Sequence, residues 1–223
     1  MIRRAVFVVL AVLLAVPVAT AATPDFKPEQ ERLRPADVKL AKKVTLKRTD
    51  LGTGWRGVPS DDARDDSLAD CEGFDLDLSR FTITGRATSS FGHARGATVA
   101  SNVEVYATRA QAVGDFVAAT THPMVLGCMR KGLEQDLAAE KLEPGMTMRL
   151  SSFRRLAAPR VGERAFRFRA VFALAYAGAR IDLFVDGLAF QKGRTIVALV
   201  FGNALGPFPN QATIARKVAA RMR

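Results

Sequence analysis

Histidine and cysteine are both scarce in this chain, which contains two of each. The histidines, His93 and His122, do not form an H-E-x-x-H motif, and no Cys/His set has the spacing of a zinc site. The chain also lacks a G-x-S-x-G sequence, and its nearest serine cluster, Ser89 and Ser90, lies in a predicted strand. We therefore predict no catalytic residue, no metal ligand and no cofactor site. A hydrolase is the least favoured of the alternative functions.

Glycine-rich and acidic ligand loops are missing in their known forms. Residues 49–55, T-D-L-G-T-G-W, have neither the third glycine of a dinucleotide loop nor the lysine of a phosphate loop. Residues 61–72, DDARDDSLADCE, lack the alternate-position ligands and the central glycine of a calcium-binding EF-hand. We interpret the glycines as the end of a helix and the acidic stretch as a solvated loop.

The N-terminal segment Met1–Ala22 has the three parts of a secretory signal peptide. Two arginines precede an apolar run from Ala5 to Val18, which is shorter than the ~20 residues needed to span a bilayer. Small residues follow, and they predict cleavage after Ala21 or Ala22. We expect an exported protein without a transmembrane segment in its mature chain. Retention of the segment as an anchor is the alternative.

The two cysteines are Cys71 and Cys128, and they do not form a C-x-x-C pair. An exported chain matures in an oxidising compartment, where cysteines commonly pair. We predict one intramolecular disulfide between them. Two buried free thiols are the alternative.

Basic residues outnumber acidic residues, 33 to 22, for a formal charge of +11. Removal of residues 1–22 takes away two arginines and no acid, so the charge of the mature chain is +9. Positive charge outside the cytoplasm indicates an envelope lipid, an anionic polymer or an acidic envelope protein as partner. Export makes nucleic acid a poor candidate. The simpler alternative is that the charge only keeps the protein in solution.

The order of predicted elements indicates an α+β fold with helices packed on an antiparallel sheet. A signal peptide at 1–22 and an extended lead-in at 23–35 precede one domain at 36–223. Helices are predicted at 36–46, 109–120, after Pro123 and at 210–222, with Thr108 as the cap of the second. Strands are predicted at 81–92, 97–107, 146–156, 163–176, 180–190 and 195–202.

The strand predicted at 163–176 separates two kinds of side chain. Phe166, Phe168 and Phe172 alternate with arginines, so they are expected to face helices while Arg167 and Arg169 lie on the other sheet face. Arginines on a sheet face can receive carboxylate or phosphate groups. We predict a ligand or partner surface formed by Arg149, Arg154, Arg155, Arg167 and Arg169. A solvated sheet face is the alternative.

Trp55, the only tryptophan, follows Gly52 and Gly54. Its size favours burial as an anchor of the fold, after a helix stop formed by the two glycines. Participation in a ligand cleft is the alternative, so Trp55 is included among the candidate surface residues.

Several short motifs resemble the exported sensor-like domains of actinobacteria, which include PknH-like extracellular domains and LpqN-type lipoproteins. The matching stretches are Asp50–Trp55, Val103–Thr108 and Arg109–Ala112, together with Cys71 and Cys128. The resemblance implies a PsbP-like α/β sandwich and a non-enzymatic, sensor-like domain that binds a ligand or a protein at the cell envelope.

Three functions follow from these observations. The leading hypothesis is a secreted module that binds an anionic or amphipathic envelope component, such as a lipid. The second is a protein-interaction module that acts through its basic sheet face, and a hydrolase comes third. An apolar cavity would favour the first hypothesis, whereas a filled core with an exposed arginine face would favour the second.

Overall fold

The computed structural model describes residues 27–58, 77–204 and 206–222. Within these ranges the chain forms eight strands and five helices. The strands are β1 (Gln30–Glu31), β2 (Trp55–Val58), β3 (Thr82–His93), β4 (Thr98–Tyr106), β5 (Met146–Arg155), β6 (Arg164–Tyr176), β7 (Ala179–Lys192) and β8 (Thr195–Asn203). The helices are α1 (Pro35–Val44), α2 (Arg48–Leu51), α3 (Arg109–Thr121), α4 (Val125–Ala139) and α5 (Gln211–Ala219).

All eight strands belong to one sheet with the order β1-β3-β4-β8-β7-β6-β5, and β2 also pairs with β3. Neighbouring strands are antiparallel except for β1, which runs parallel to β3 over two residues. Short turns join β6 to β7 and β7 to β8, and Gly178 and Gly193 in them have positive φ. The predicted α+β fold class is confirmed. The finer likeness to a PsbP-like sandwich stays a prediction.

Helices cover both faces of the sheet. On one face, α1 and α5 pack on a core that includes Val103, Leu188 and Val197. We call it the α1/α5 face. On the other, the α3/α4 face, α3 and α4 pack against Tyr106 and Phe166, and the core continues to Phe172 beside the second half of α4. The four longer helices, α1, α3, α4 and α5, each bury one side, so a sheet between two helical layers can cover all of these sides.

Local signals explain why α1 and α3 begin where they do. Pro35 occupies the first turn of α1, where its missing N–H costs nothing. Thr108 caps α3 because its hydroxyl oxygen accepts a hydrogen bond from the Gln111 N–H at 3.2 Å, as predicted. The predicted and observed boundaries of these elements differ by only a few residues.

Helix α1 buries a charged residue together with its apolar ones. Ala41 and Val44 are buried, and so is Asp37. Its carboxylate accepts two hydrogen bonds from the guanidinium of Arg194, which lies 157 residues later in the chain. The Arg194 hydrogen bonds lower the pKa of Asp37, with a smaller contribution from Thr84. A partner so distant in sequence leaves no local signal.

Three sequence predictions fall on residues outside the described ranges. These are the signal peptide at 1–22, the acidic loop at 61–72 and the position of Cys71. Cys128 is described; it lies in α4 and is 1% exposed. Among the described residues, none of the helices has the length and apolar character needed to span a membrane.

The predicted disulfide has a direct chemical test. Denatured but unreduced protein treated with an alkylating reagent should carry no modified thiol, because both cysteines would be in the bridge. The same treatment after reduction should add two labels and serves as the control. Two labels without reduction would show that the cysteines are free thiols.

Candidate functional site

A cleft of about 440 Å³ opens between α2, the start of β2 and α5. Most of its wall is contributed by two segments that are more than 150 residues apart in the chain. The lining residues are Asp50, Leu51, Gly52, Trp55, Phe208, Pro209, Asn210, Thr213, Ile214 and Lys217. We call this feature the Trp55 cleft.

Aromatic side chains provide much of the apolar wall of the Trp55 cleft. Trp55 is 9% exposed, and its ring centroid lies 5.2 Å from that of His93 and 5.8 Å from that of Phe208. Phe208 in turn lies 5.0 Å from Phe201, whose side chain belongs to the α1/α5 core. Trp55 therefore serves both as an anchor and as part of a cleft wall, two roles that the sequence left as alternatives.

Two glycines place Trp55 in this position. Gly52 and Gly54 have φ values of 88° and 82°, which residues other than glycine rarely adopt. A Cβ atom on Gly54 would lie 2.5 Å from Nε2 of His93. The tight turn lets Trp55 pair with His93 as β2 joins β3. The predicted helix stop is thus present, and strand β2, which was not predicted, follows it directly.

The rim of the Trp55 cleft carries net positive charge. Asp50 is already paired: its carboxylate accepts hydrogen bonds from Arg221 at 2.8 and 2.9 Å and from the N–H of Lys47 at 2.9 Å. Burial acts to raise the pKa of Asp50, but the Arg221 and Lys47 hydrogen bonds lower it overall. Lys217 is exposed and donates only to the backbone oxygen of Asp50, at 3.0 Å. Its ammonium group forms no ion pair within the described part of the chain, although its charge helps to lower the pKa of Asp50.

One face of α5 completes the Trp55 cleft. Asn210 precedes the helix, and Thr213, Ile214 and Lys217 follow at the three- and four-residue spacing that aligns side chains along a helix. Ile214 is buried, whereas the other three are exposed. The wall thus changes from apolar at its base to polar and cationic at its rim.

The predicted arginine surface is divided between the two sheet faces. Arg167 and Arg169 lie on the α1/α5 face, as the alternation in β6 predicts, because Arg169 is paired with Asp186 and Arg167 with Leu188. Arg154 of β5 is opposite Arg169 and shares that face.

The other two arginines of β5 differ from each other. Arg149 pairs with Ala173 and lies on the α1/α5 face, where it is exposed. Arg155 pairs with Phe168, and its guanidinium lies 5.2 Å from the Phe166 ring centroid on the α3/α4 face. The structure therefore brings four of the five candidate arginines to one face, and none of the five lines the Trp55 cleft.

Several residues of the Trp55 cleft and of the arginine surface were not identified as candidates from the sequence. Asp186 shares the face of Leu188 and Phe190 in β7, so an acid inside an apolar alternation was the available signal. The sequence around Lys217 and Phe208 does not indicate a site, because only tertiary contacts bring α5 beside Trp55.

Both histidines take part in local turns. Nδ1 of His93 accepts a hydrogen bond from the N–H of Arg95 at 3.2 Å, and Nδ1 of His122 accepts one from the N–H of Met124 at 3.3 Å. In the described ranges, histidine, cysteine and carboxylate side chains form no group of three that could hold a metal ion.

Comparison with solved structures finds a similarity in fold. No protein-family model matches the chain, and no curated protein matches it. The fold is similar to the crystal structure of the extracellular domain of PknH from Mycobacterium tuberculosis, at 11% sequence identity and a TM-score of 0.44. The alignment covers 85% of this chain and 98% of the PknH domain. A similarity of this size carries no conclusion about ligand or activity.

Proposed function

We propose that this protein is an exported, sensor-like binding module of the cell envelope that holds an anionic, amphipathic component in the Trp55 cleft and performs no catalysis. The observation that carries the proposal is the combination, in one cleft, of an aromatic wall and an exposed ammonium group. An apolar part of a ligand would contact Trp55, Phe208 and Ile214, while its anionic group would lie near Lys217.

The size of the Trp55 cleft supports a small ligand or one part of a larger one. Its volume of about 440 Å³ lies at the lower end of the ~300–1,000 Å³ typical of ligand pockets. Such a cleft accommodates a ring system or a short chain rather than a complete lipid. The ligand class is therefore an anionic molecule whose apolar portion is compact, or a lipid bound by one portion only.

Electrostatics support an anionic ligand over a cationic one. The single carboxylate in the lining, Asp50, is neutralised by Arg221, so Lys217 determines the sign of the local charge. The formal charge of the whole chain has the same sign. Long-range attraction and the local contact therefore favour the same ligands.

Binding of anilinonaphthalene sulfonate, an anionic and amphipathic dye, tests the proposal, because the fluorescence of Trp55 reports binding in the cleft. Because Trp55 is the only tryptophan, binding in the cleft should quench its fluorescence by energy transfer to the dye. Reversing the rim charge with Lys217→Glu should weaken binding roughly tenfold, since near-surface charges ~4 Å apart interact by about 1–4 kcal/mol. A fluorescence titration at constant ionic strength measures both effects.

Arg216→Glu is the matched control, because Arg216 is exposed on the same helix but does not line the cleft. It makes the same change in net charge and should leave dye affinity within about twofold. Equal weakening by the two variants, or dye binding without a change in Trp55 fluorescence, would contradict the proposal. Native mass spectrometry of protein purified from the producing cell would then identify the natural ligand by its added mass.

A further inference from the structure

A row of charged side chains crosses three strands on the α1/α5 face. Arg154 of β5 lies opposite Arg169 of β6, which lies opposite Asp186 of β7. Arg167 lies two residues before Arg169 on the same face of β6, and it also contacts Asp186. We call these four residues the arginine row. It is separate from the Trp55 cleft, whose lining includes none of them.

The buried carboxylate of Asp186 accepts hydrogen bonds from two arginines of the arginine row. Its side chain is 0% exposed, and its Oδ1 accepts from Nε of Arg169 at 2.9 Å while its Oδ2 accepts from Nη2 of the same guanidinium at 3.1 Å. Oδ2 also accepts from Nε2 of Gln211 at 2.7 Å, and Nη2 of Arg167 lies 3.5 Å from Oδ1. With four donors around one carboxylate, no acceptor capacity remains for Arg154.

The arginine row has more cations than its single carboxylate can balance. Three guanidinium groups and one carboxylate leave a formal charge of +2. Arg154 and Arg169 are directly opposite across neighbouring strands, an arrangement that is unfavourable for like charges. Arg154 is exposed and forms no ion pair with any other residue of the described ranges. An external anion would remove this repulsion.

We propose that the arginine row is a second binding site, specific for a phosphate group. Arg169 uses Nε and Nη2 on Asp186, and Arg167 uses Nη2. Nε of Arg167 is buried without a partner, and among the described residues the Nη1 group of each and the guanidinium of Arg154 form no hydrogen bond. A phosphate monoester carries about −1.5 to −2 charges and three acceptor oxygens, which matches both the excess charge and the number of guanidinium groups.

A phosphate fits the arginine row better than a carboxylate does. A carboxylate has two oxygens and one charge, and Asp186 already fills that role with the bidentate geometry that carboxylates prefer. The remaining donors come from three separate side chains, for which a tetrahedral group with three terminal oxygens is the better match. Asp186 also holds Arg167 and Arg169 in place before any ligand arrives, which lowers the entropy cost of binding.

Adjacent residues of β5 provide a matched pair of variants. Arg154→Ala removes a donor of the arginine row, whereas Arg155→Ala removes the same charge from the α3/α4 face. Calorimetric titration of the mature chain with inorganic phosphate, at constant ionic strength, should detect binding by the wild type. Arg154→Ala should weaken it at least tenfold, and Arg155→Ala should leave it within about twofold, since only the first touches the site.

A second arm distinguishes a free phosphate from a lipid headgroup. Vesicles of phosphatidylcholine with and without phosphatidic acid are sedimented with each variant. Binding only to phosphatidic acid vesicles, lost in Arg154→Ala and kept in Arg155→Ala, assigns the site to a membrane phosphate. Phosphate binding without vesicle binding assigns it to a soluble phosphate.

Three results would overturn the phosphate site. They are no binding of phosphate in either arm, equal losses in the two variants, and tighter binding of polyglutamate than of phosphate, which would indicate an acidic protein partner instead. Dye binding in the Trp55 cleft should be unchanged in Arg154→Ala. Phosphate and vesicle binding therefore test the arginine row, whereas dye fluorescence tests the Trp55 cleft, so either proposal can fail without the other.

Discussion

Replacing Asp186 with alanine should lower the free energy of unfolding by about 3–5 kcal/mol, the usual cost of removing one partner from a buried ion pair. The side chains of Arg167 and Arg169 are only 23% and 13% exposed. Without the carboxylate, both guanidinium groups lose their counter-ion and Gln211 loses an acceptor. The destabilisation therefore comes from cations left inside the fold rather than from the lost contact alone.

Urea denaturation of the variant and the wild type measures this effect, with equal m-values showing that the unfolded states are comparable. Asp182→Ala is the matched control. Asp182 lies four residues earlier on the same face of β7, but its side chain is 46% exposed and its ion pair with Arg180 is long, at 3.7 Å. That substitution should change stability by less than ~1 kcal/mol. Equal effects of the two substitutions would contradict a structural role of the buried carboxylate.

The second large effect is expected at Asp115, where Asp115→Asn should stabilise the protein at alkaline pH and have little effect in acid. Asp115 lies in α3 and is buried against β4. Burial, together with the negative charges of Glu29 and Glu104, raises its pKa to about 7, although the Tyr106 hydrogen bond acts in the opposite direction. The folded protein therefore favours a neutral Asp115.

Hydrogen-bond geometry supports the neutral form of Asp115 independently. Oη of Tyr106 is within hydrogen-bond distance of both Asp115 and Glu104, at 3.0 Å from Oε2 of Glu104, but a hydroxyl has one proton to donate. Tyr106 donates its proton to Oδ2 of Asp115 at 2.5 Å, and Glu104 accepts a hydrogen bond from Arg86 at 2.7 Å. The other Asp115 oxygen, Oδ1, is buried without a hydrogen-bond partner, which further disfavours a carboxylate.

The sign of the pH dependence follows from the raised pKa. Below about pH 4 the group is protonated in both states and does not affect stability. Between about pH 4 and pH 7 it ionises in the unfolded chain but not in the fold, so stability falls as the pH rises. Above about pH 7 the penalty is constant and reaches at most ~4 kcal/mol, at about 1.4 kcal/mol for each pKa unit.

Asparagine keeps the shape of the side chain and an oxygen that can accept from Tyr106, but it cannot ionise. Asp115→Asn should therefore match the wild type within about 1 kcal/mol near pH 4 and exceed it by up to ~4 kcal/mol near pH 8. Urea denaturation over this pH range measures the difference. Glu134→Gln removes an exposed carboxylate from α4 and should show no comparable trend. A difference that does not vary with pH would contradict the raised pKa of Asp115.

Much of the architecture could be predicted because it depends on local patterns. The alternation of phenylalanine and arginine in β6 correctly assigned Phe166 and Phe172 to a core beneath helices, that of the α3/α4 face, and Arg167 to the opposite face. The predicted strands do not include β2, which begins at Trp55. A four-residue strand has too few residues to establish a period, and its pairing with β3 is a tertiary contact.

The candidate sites were less predictable, because their chemistry depends on pairs of residues that are distant in the chain. Asp50 pairs with Arg221 across 171 residues, and Gln211 reaches Asp186 across 25. From the sequence each of these groups is an ordinary charged or polar residue. Only their pairing shows which charges are cancelled and which remain for a ligand.

The sequence by itself determined the class of fold, the sites of most helices and strands, the two glycines before Trp55 and the excess of positive charge. These properties follow from the side-chain period, backbone conformation and composition, which are local or additive. The tertiary structure alone decided that Trp55 shares a cleft with Lys217, and that Asp186 neutralises one part of the arginine row but not Arg154. Burial and charge balance are properties of assembled surfaces, so they exist only after distant segments have packed together.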